Sequence, residues 1–183
     1  MTDHPFEKMP KIPRLSRNIM ITEKIDGTNA SIFIGEDESF LVGSRTRWIT
    51  PENDNAGFAR WAYEHEDELR TGLGYGHHFG EWWGSGIGRK YDLKEKRFSL
   101  FNTGRWNDEN TPDCVSVVPL LYEGMFLEHV VNETLIHLED FGSQAAPGFM
   151  KPEGIVIYHI ASGYIFKKTI EGDEKPKGSK EES

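Results

Sequence analysis

The chain has 183 residues, 37% of them hydrophobic and 28% charged, the size and composition of one globular domain with an ordinary core. No run approaches the roughly 20 apolar residues of a membrane-spanning helix, and the N-terminus carries no apolar signal core. Cys114, the single cysteine, excludes an intrachain disulfide and suits a cytoplasmic protein, while the net charge of −9 argues against a nonspecific nucleic-acid coat.

Residues 1–18 hold three prolines and read as an extended arm. Residues 19–25 read as a strand and 30–34 as its hairpin partner, with Gly27 permitting the turn. Residues 40–44 form another short strand. Thr50-Pro51 reads as a helix N-cap followed by proline at the first helical position. Phe58, Trp61, Ala62, His65 and Leu69 then lie on one helical face. Short aromatic and β-branched runs predict strands at 78–83, 97–102, 117–126, 154–160 and 163–169. Phe126, Leu127, Val130, Val131 and Leu135 mark a helix between the third and fourth of these, and 142–152 reads as loop. The tail, 172–183, is charged and almost without apolar residues, so disorder is expected there. This order predicts an α+β fold of antiparallel sheets flanked by helices, occupying 1–171.

Several charged residues stand within or at the ends of these strand-like runs: Glu81, Lys167 and Lys168 inside them, Lys24, Arg45 and Glu153 at their ends. A charge beside a buried strand is costly unless it is paired or faces a cleft. Cations and carboxylates on separate strands can hold a triphosphate together with a divalent cation. The basic residues are also clustered. Lys8, Lys11, Arg14, Arg17 and Lys24 open the chain, Arg45 and Arg47 follow, and Arg89, Lys90, Lys94, Lys96 and Arg97 form a third group. A local basic groove on an acidic protein is therefore compatible with the composition.

Six segments occur in order: Lys24-Ile25-Asp26-Gly27, Ser44-Arg45-Thr46-Arg47, Phe79-Gly80-Glu81-Trp82, Phe98-Ser99-Leu100-Phe101, Glu153-Gly154-Ile155-Val156 and Phe166-Lys167-Lys168. Together they resemble the ordered motifs of the covalent nucleotidyltransferases, the superfamily of ATP-dependent polynucleotide ligases and mRNA capping enzymes. The stretches from Glu23 to Asn29 and from Gly142 to Ile155 resemble the RNA ligase family most closely. The resemblance runs over residues 19–171 and implies a nucleotidyltransferase (ATP-grasp-like) domain.

It further implies ATP-dependent RNA ligation through a lysyl-AMP intermediate, with ATP and Mg2+ or Mn2+ as cofactors. Lys24 would be the nucleophile, and Asp26, Lys167 and Lys168 would share the catalytic work. Lysine amines are mostly protonated at neutral pH; the paired lysines and a bound metal would favour the free amine. Arg45 would contact ribose or phosphate. Glu81 would hold the ribose hydroxyls or the metal, and Glu153 would bind or orient the metal. Phe98 would stack on adenine, with Phe101 competing for that role. Glu23 and Asn29 would serve the nucleotide pocket. Relatives often separate the two lysines of the last motif by one residue; here they are adjacent. Side chains of adjacent strand residues face opposite sides, which favours Lys167 for the site.

DNA ligases and capping enzymes of this superfamily add an OB-fold after the last motif. Only residues 172–183 follow here, so no C-terminal OB-fold is expected, and a partner protein could replace the missing domain of this monomer. The expected partners are RNA ends or a nicked duplex, with no membrane. A minimal DNA or hybrid nick ligase, and a nucleotide- or RNA-binding module without turnover, are the alternatives. Two further motifs carry less. His77-His78 with Glu81 lacks the spacing of a zinc site. Gly84-Ser85-Gly86-Ile87-Gly88 lacks the lysine-hydroxyl pair of a phosphate loop, although Arg89-Lys90 after it could touch a nucleic-acid backbone. Cys114 reads as a small apolar filler.

Overall fold

The structure, a computed structural model, describes residues 5–173. The predicted disordered tail falls almost wholly outside that span. In chain order the elements are β1 (Asn18–Lys24), β2 (Thr28–Ile34), β3 (Phe40–Ser44), β4 (Trp48–Ile49), α1 (Phe58–Glu64), α2 (Glu66–Leu73), β5 (Gly76–Gly84), β6 (Lys96–Leu100), β7 (Val115–Val117), β8 (Leu120–Met125), α3 (Glu128–Phe141), β9 (Gly154–His159) and β10 (Tyr164–Thr169). The fold is α+β, as the order of hydrophobic patterns predicts.

Two sheets carry it. The first has the order β10-β9-β1-β8 and the second β4-β3-β2-β5-β6-β7. All pairings are antiparallel except β6 with β7, which run parallel. Each sheet buries one face under helices. Ile19, Ile21, Ile155 and Ile157 pack beneath Val131 and Leu138 of α3. Ala30, Ile32, Ile34 and Val42 pack beneath Phe58, Ala62 and Leu69 of α1 and α2. Each such large apolar side chain contributes about 1.5–3 kcal/mol when fully removed from water. A third cluster of Ile25, Trp83, Tyr91, Val118 and Ala146 fills the seam where the chain crosses between sheets.

The structure revises four local expectations. β1 and β2 are not a hairpin: β1 pairs with β8 and β9, and β2 with β3 and β5. The segment Ile25-Asp26-Gly27 is a crossover from one sheet to the other. Gly27 does not adopt a positive φ; it is needed because its backbone lies against β5, where a Cβ would meet Trp82 O at 2.5 Å. Thr50-Pro51 lies in a turn, and the first helix begins at Phe58. Asp54 does the capping there, accepting from Ala59 N at 2.8 Å and Arg60 N at 3.2 Å. The helix over 58–69 divides at His65, whose φ of −110° and ψ of 16° interrupt it. The expected strand over 117–126 divides at Pro119, which lacks the N–H a ladder needs. Its two parts join different sheets.

Candidate active site

The uncovered faces of the two sheets enclose a cleft of about 1060 Å³. Strand alternation decides which side chains reach it. From β1 come Met20, Thr22 and Lys24, from β9 Val156 and Tyr158, and from β10 Ile165 and Lys167. The opposing sheet supplies Asn29, Arg45, Phe79 and Glu81, with Phe101 just beyond β6. The volume is that of a nucleotide-sized ligand pocket.

Lys24 is the last residue of β1 and pairs in register with Gly154. Its Nζ donates to Glu153 Oε2 at 2.6 Å, in a pair whose side chains are 19% and 14% exposed. Asn29 Nδ2 donates to Glu81 Oε2 at 3.3 Å. Burial pushes the Glu81 carboxyl up to about 7; Lys24 and the Gly27 N–H act against that rise, and Glu153 and Asp26 add to it. Three carboxylates therefore share a small region around one lysine.

The crossover that presents Lys24 is clamped from below. Asp26 N donates to Tyr91 Oη at 2.7 Å. Tyr91 is fully buried, with its ring 4.9 Å from that of Trp83 and 4.7 Å from that of Phe149. Burial, the first cause, raises its hydroxyl far above the usual range, so it remains a neutral donor and acceptor. Lys90, Tyr91 and Asp92 all adopt positive φ, a costly run for non-glycine residues. Arg89 lies 3.8 Å from the Asp26 carboxylate and donates to Lys151 O. The glycine-rich segment before Arg89 thus packs against the lysine loop: a Cβ at Gly88 would meet Asp26 O at 2.7 Å.

The expected site residues are placed as follows. Lys24, Asn29, Arg45, Glu81 and Lys167 line the cleft, and Glu153 reaches it through Lys24. Lys168 does not. Its Nζ donates to Asn132 Oδ1 on α3 at 2.8 Å, on the other face of the sheet. Phe98 does not either: it is 0% exposed and packs with Phe58 and Trp61 in the core beneath α1. Phe101, 41% exposed, is the aromatic ring of that motif that lines the cleft. Glu23 borders the cleft but is only 1% exposed, its carboxylate accepting from Ser143 Oγ at 2.6 Å and from the Gln144 and Ala145 N–H groups at 2.8 and 2.9 Å. That carboxylate ties the 142–152 loop under β1. Asp26 turns toward Arg89. No role was anticipated for Tyr91, Ser143 or Phe79; Phe79 lies in the Phe79-Gly80-Glu81-Trp82 segment, and no local pattern in the sequence marks the other two.

A lysine at a strand end, opposed by carboxylates in a cleft between two helix-backed sheets, defines a nucleotidyltransferase-type site. The RNA ligase family model matches residues 17–169, and the chain belongs to that family. Solved structures agree on the fold. A mutant Naegleria gruberi RNA ligase with AMP and Mn matches at TM-score 0.61 and 18% identity, over 85% of this chain and 50% of that one. A second mutant of the same ligase, with ATP and Mn, matches at 0.61 and 20%, over 84% and 49%. The Naegleria gruberi RNA ligase with PPi matches at 0.57 and 20%, over 84% and 50%. The chain thus spans about half the length of these ligases. Comparison with the curated proteins gave no match. Among the described residues, no helix is long and apolar enough to cross a membrane.

Proposed function

We propose that the chain is the adenylyltransferase unit of an ATP-dependent RNA ligase. Lys24 Nζ attacks the α-phosphorus of ATP. An N–P bond forms, the bond between the α-phosphorus and the bridging oxygen breaks, and its electron pair leaves with pyrophosphate. The proton lost by the amine passes to the nearest acceptor, Glu153 Oε2, 2.6 Å away. A 5′-phosphate oxygen of the RNA then bonds the α-phosphorus as the N–P bond breaks, its electron pair returning to Lys24 Nζ, which regains the proton held by Glu153. A 3′-hydroxyl finally displaces AMP to make the phosphodiester, with its proton released to solvent. Positioning and electrostatics supply most of the rate in such transfers. In this reading Phe101 stacks on adenine, Asn29 and Glu81 hold the ribose, and Arg45 and Lys167 hold phosphate oxygens.

Among the described residues no three His, Cys, Asp or Glu side chains converge on one point as a metal cage. Glu153 and Glu81 suit instead a magnesium or manganese ion held mainly by water and nucleotide phosphates. Such an ion, when bound, neutralises developing charge on the phosphates. The neighbouring ligases with ATP, AMP and Mn support this choice. The reading includes RNA repair or nick sealing in a reducing cytoplasm, and a partner protein for engaging the ends.

The observation that carries it is Lys24 at the floor of a nucleotide-sized cleft, facing Glu153, in a chain of the RNA ligase family. Incubation with ATP labelled in the α-phosphate should give an acid-labile protein-AMP adduct, and Lys24→Ala should abolish it. Labelling that survives Lys24→Ala removes the assignment. Sealing of all-RNA, all-DNA and mixed nicks then decides the substrate; equal sealing with DNA on the 3′-hydroxyl side would mark a general nick ligase.

A further inference from the structure

Beyond Glu81 the cleft face of the second sheet turns aromatic. Register places Asn29 opposite Glu81, Ser31 opposite Phe79 and Phe33 opposite His77. Ser31 in turn faces Gly43, which faces Trp48. Phe79, His77, Phe33 and Trp48 therefore share the face that carries the catalytic carboxylate, starting one step along the strand from it. Their rings touch. His77 and Phe79 are 4.0 Å apart at 34°, and Trp48 and His77 are 5.5 Å apart at 30°. Phe33 meets His77 edge-on at 5.9 Å.

These rings are not filling a core. Phe79 is 54% exposed and Trp48 50%, and among the described residues no other element covers them. Burial holds the His77 imidazole below its ordinary value, so near pH 7 the ring is a neutral aromatic. Arg45 and Arg47 flank Trp48, both exposed, and Arg105 lines the same cleft. The acids Glu36, Asp37 and Glu38 sit in the turn past Phe33. A phosphate backbone entering from the cleft is drawn toward the arginines and repelled beyond Phe33.

We infer that Trp48, His77 and Phe79 form a stacking platform for unpaired nucleotides of the RNA flanking the break. Exposed aromatic rings beside cations are the general means of holding single-stranded bases without reading their sequence. A fully paired nick offers its bases no free faces, so the platform selects ends with a short single-stranded stretch. The inference rests on the RNA-ligase reading for its ligand, and continuity with the cleft and the charge distribution carry the rest.

The test measures binding of fluorescent 5′-phosphorylated RNA duplexes, one with a three-nucleotide single-stranded end and one fully paired and nicked. Self-adenylylation with labelled ATP is followed in parallel. Wild type should prefer the single-stranded end. Trp48→Ala and His77→Ala should each weaken that binding by about tenfold, the worth of one stacked base, and Trp48→Phe should restore it. Affinity for the nicked duplex and the rate of adenylylation should stay within twofold. Unchanged binding by both alanine variants overturns the platform. So does equal loss on both duplexes, or no preference in wild type, the result expected if the rings dock a protein. Absence of the AMP adduct in wild type would sink the ligase reading alone, because the binding comparison does not depend on it.

Discussion

Glu81 illustrates what one buried carboxylate costs and what it is for. It is 8% exposed, and burial lifts its folded-state value from 4.5 to about 7. Below pH 4.5 it is protonated in folded and unfolded chains alike and costs nothing. Between 4.5 and 7 the folded state holds the extra proton, so stability falls as pH rises through that window and stays reduced above it. Glu23, also raised by burial, adds a slope of the same sign. Glu81→Gln should remove its share. Relative to wild type the variant should gain on the order of 3 kcal/mol between pH 4.5 and 7.5, measured by denaturant unfolding at the two values. Parallel pH profiles for the two proteins would mean that Glu81 is not held protonated.

The strands make sense of a choice that motif spacing leaves open. Lys167 and Lys168 are adjacent, so alternation along β10 sends one into the cleft and the other to α3. Lys167→Ala should cut self-adenylylation by at least 100-fold with an unchanged melting temperature. Lys168→Ala should leave labelling within a few fold and cost about 1 kcal/mol, the usual net worth of its bond to Asn132. The reverse pattern would put Lys168 in the site. Alternation made this legible from sequence, as it made legible the strands themselves, the strand-end positions of Lys24, Arg45 and Glu153, and the place of Glu81 within β5. Pairing partners were not legible. β1 and β2 both alternate and are three residues apart, which is the pattern of a hairpin, yet nothing local reveals that each belongs to a different sheet. The aromatic pair Phe98 and Phe101 shows the same limit. Both rings suit adenine, and only the parity of β6, fixed by its neighbour β5, puts one in the core and the other at the cleft.

Across the whole molecule, the two sheets are joined beside the candidate site by three residues, and that join is why Lys24 lies where it does. Ile25 anchors in the seam cluster, Asp26 is held by Tyr91 and Arg89, and Gly27 passes against the backbone of β5. A side chain at Gly27 would place Cβ 2.5 Å from Trp82 O and 2.7 Å from Trp83 Cβ. Neither atom can yield, since β5 pairs with both β2 and β6. Gly27→Ala must therefore push the sheets apart, and the displacement falls directly on Lys24 and Glu81. We expect a loss of about 1–3 kcal/mol from overpacking, read as a melting temperature lower by about 5 °C. At a temperature where the variant is still folded, adduct formation should fall by at least tenfold. Gly104→Ala, where the nearest atom is the Asn102 side chain at 3.5 Å, should change neither quantity. If Gly27→Ala instead melts and labels like wild type, the crossover does not set the distance between the sheets. Lys24 and Glu81 would then have to be held in place by contacts within their separate sheets.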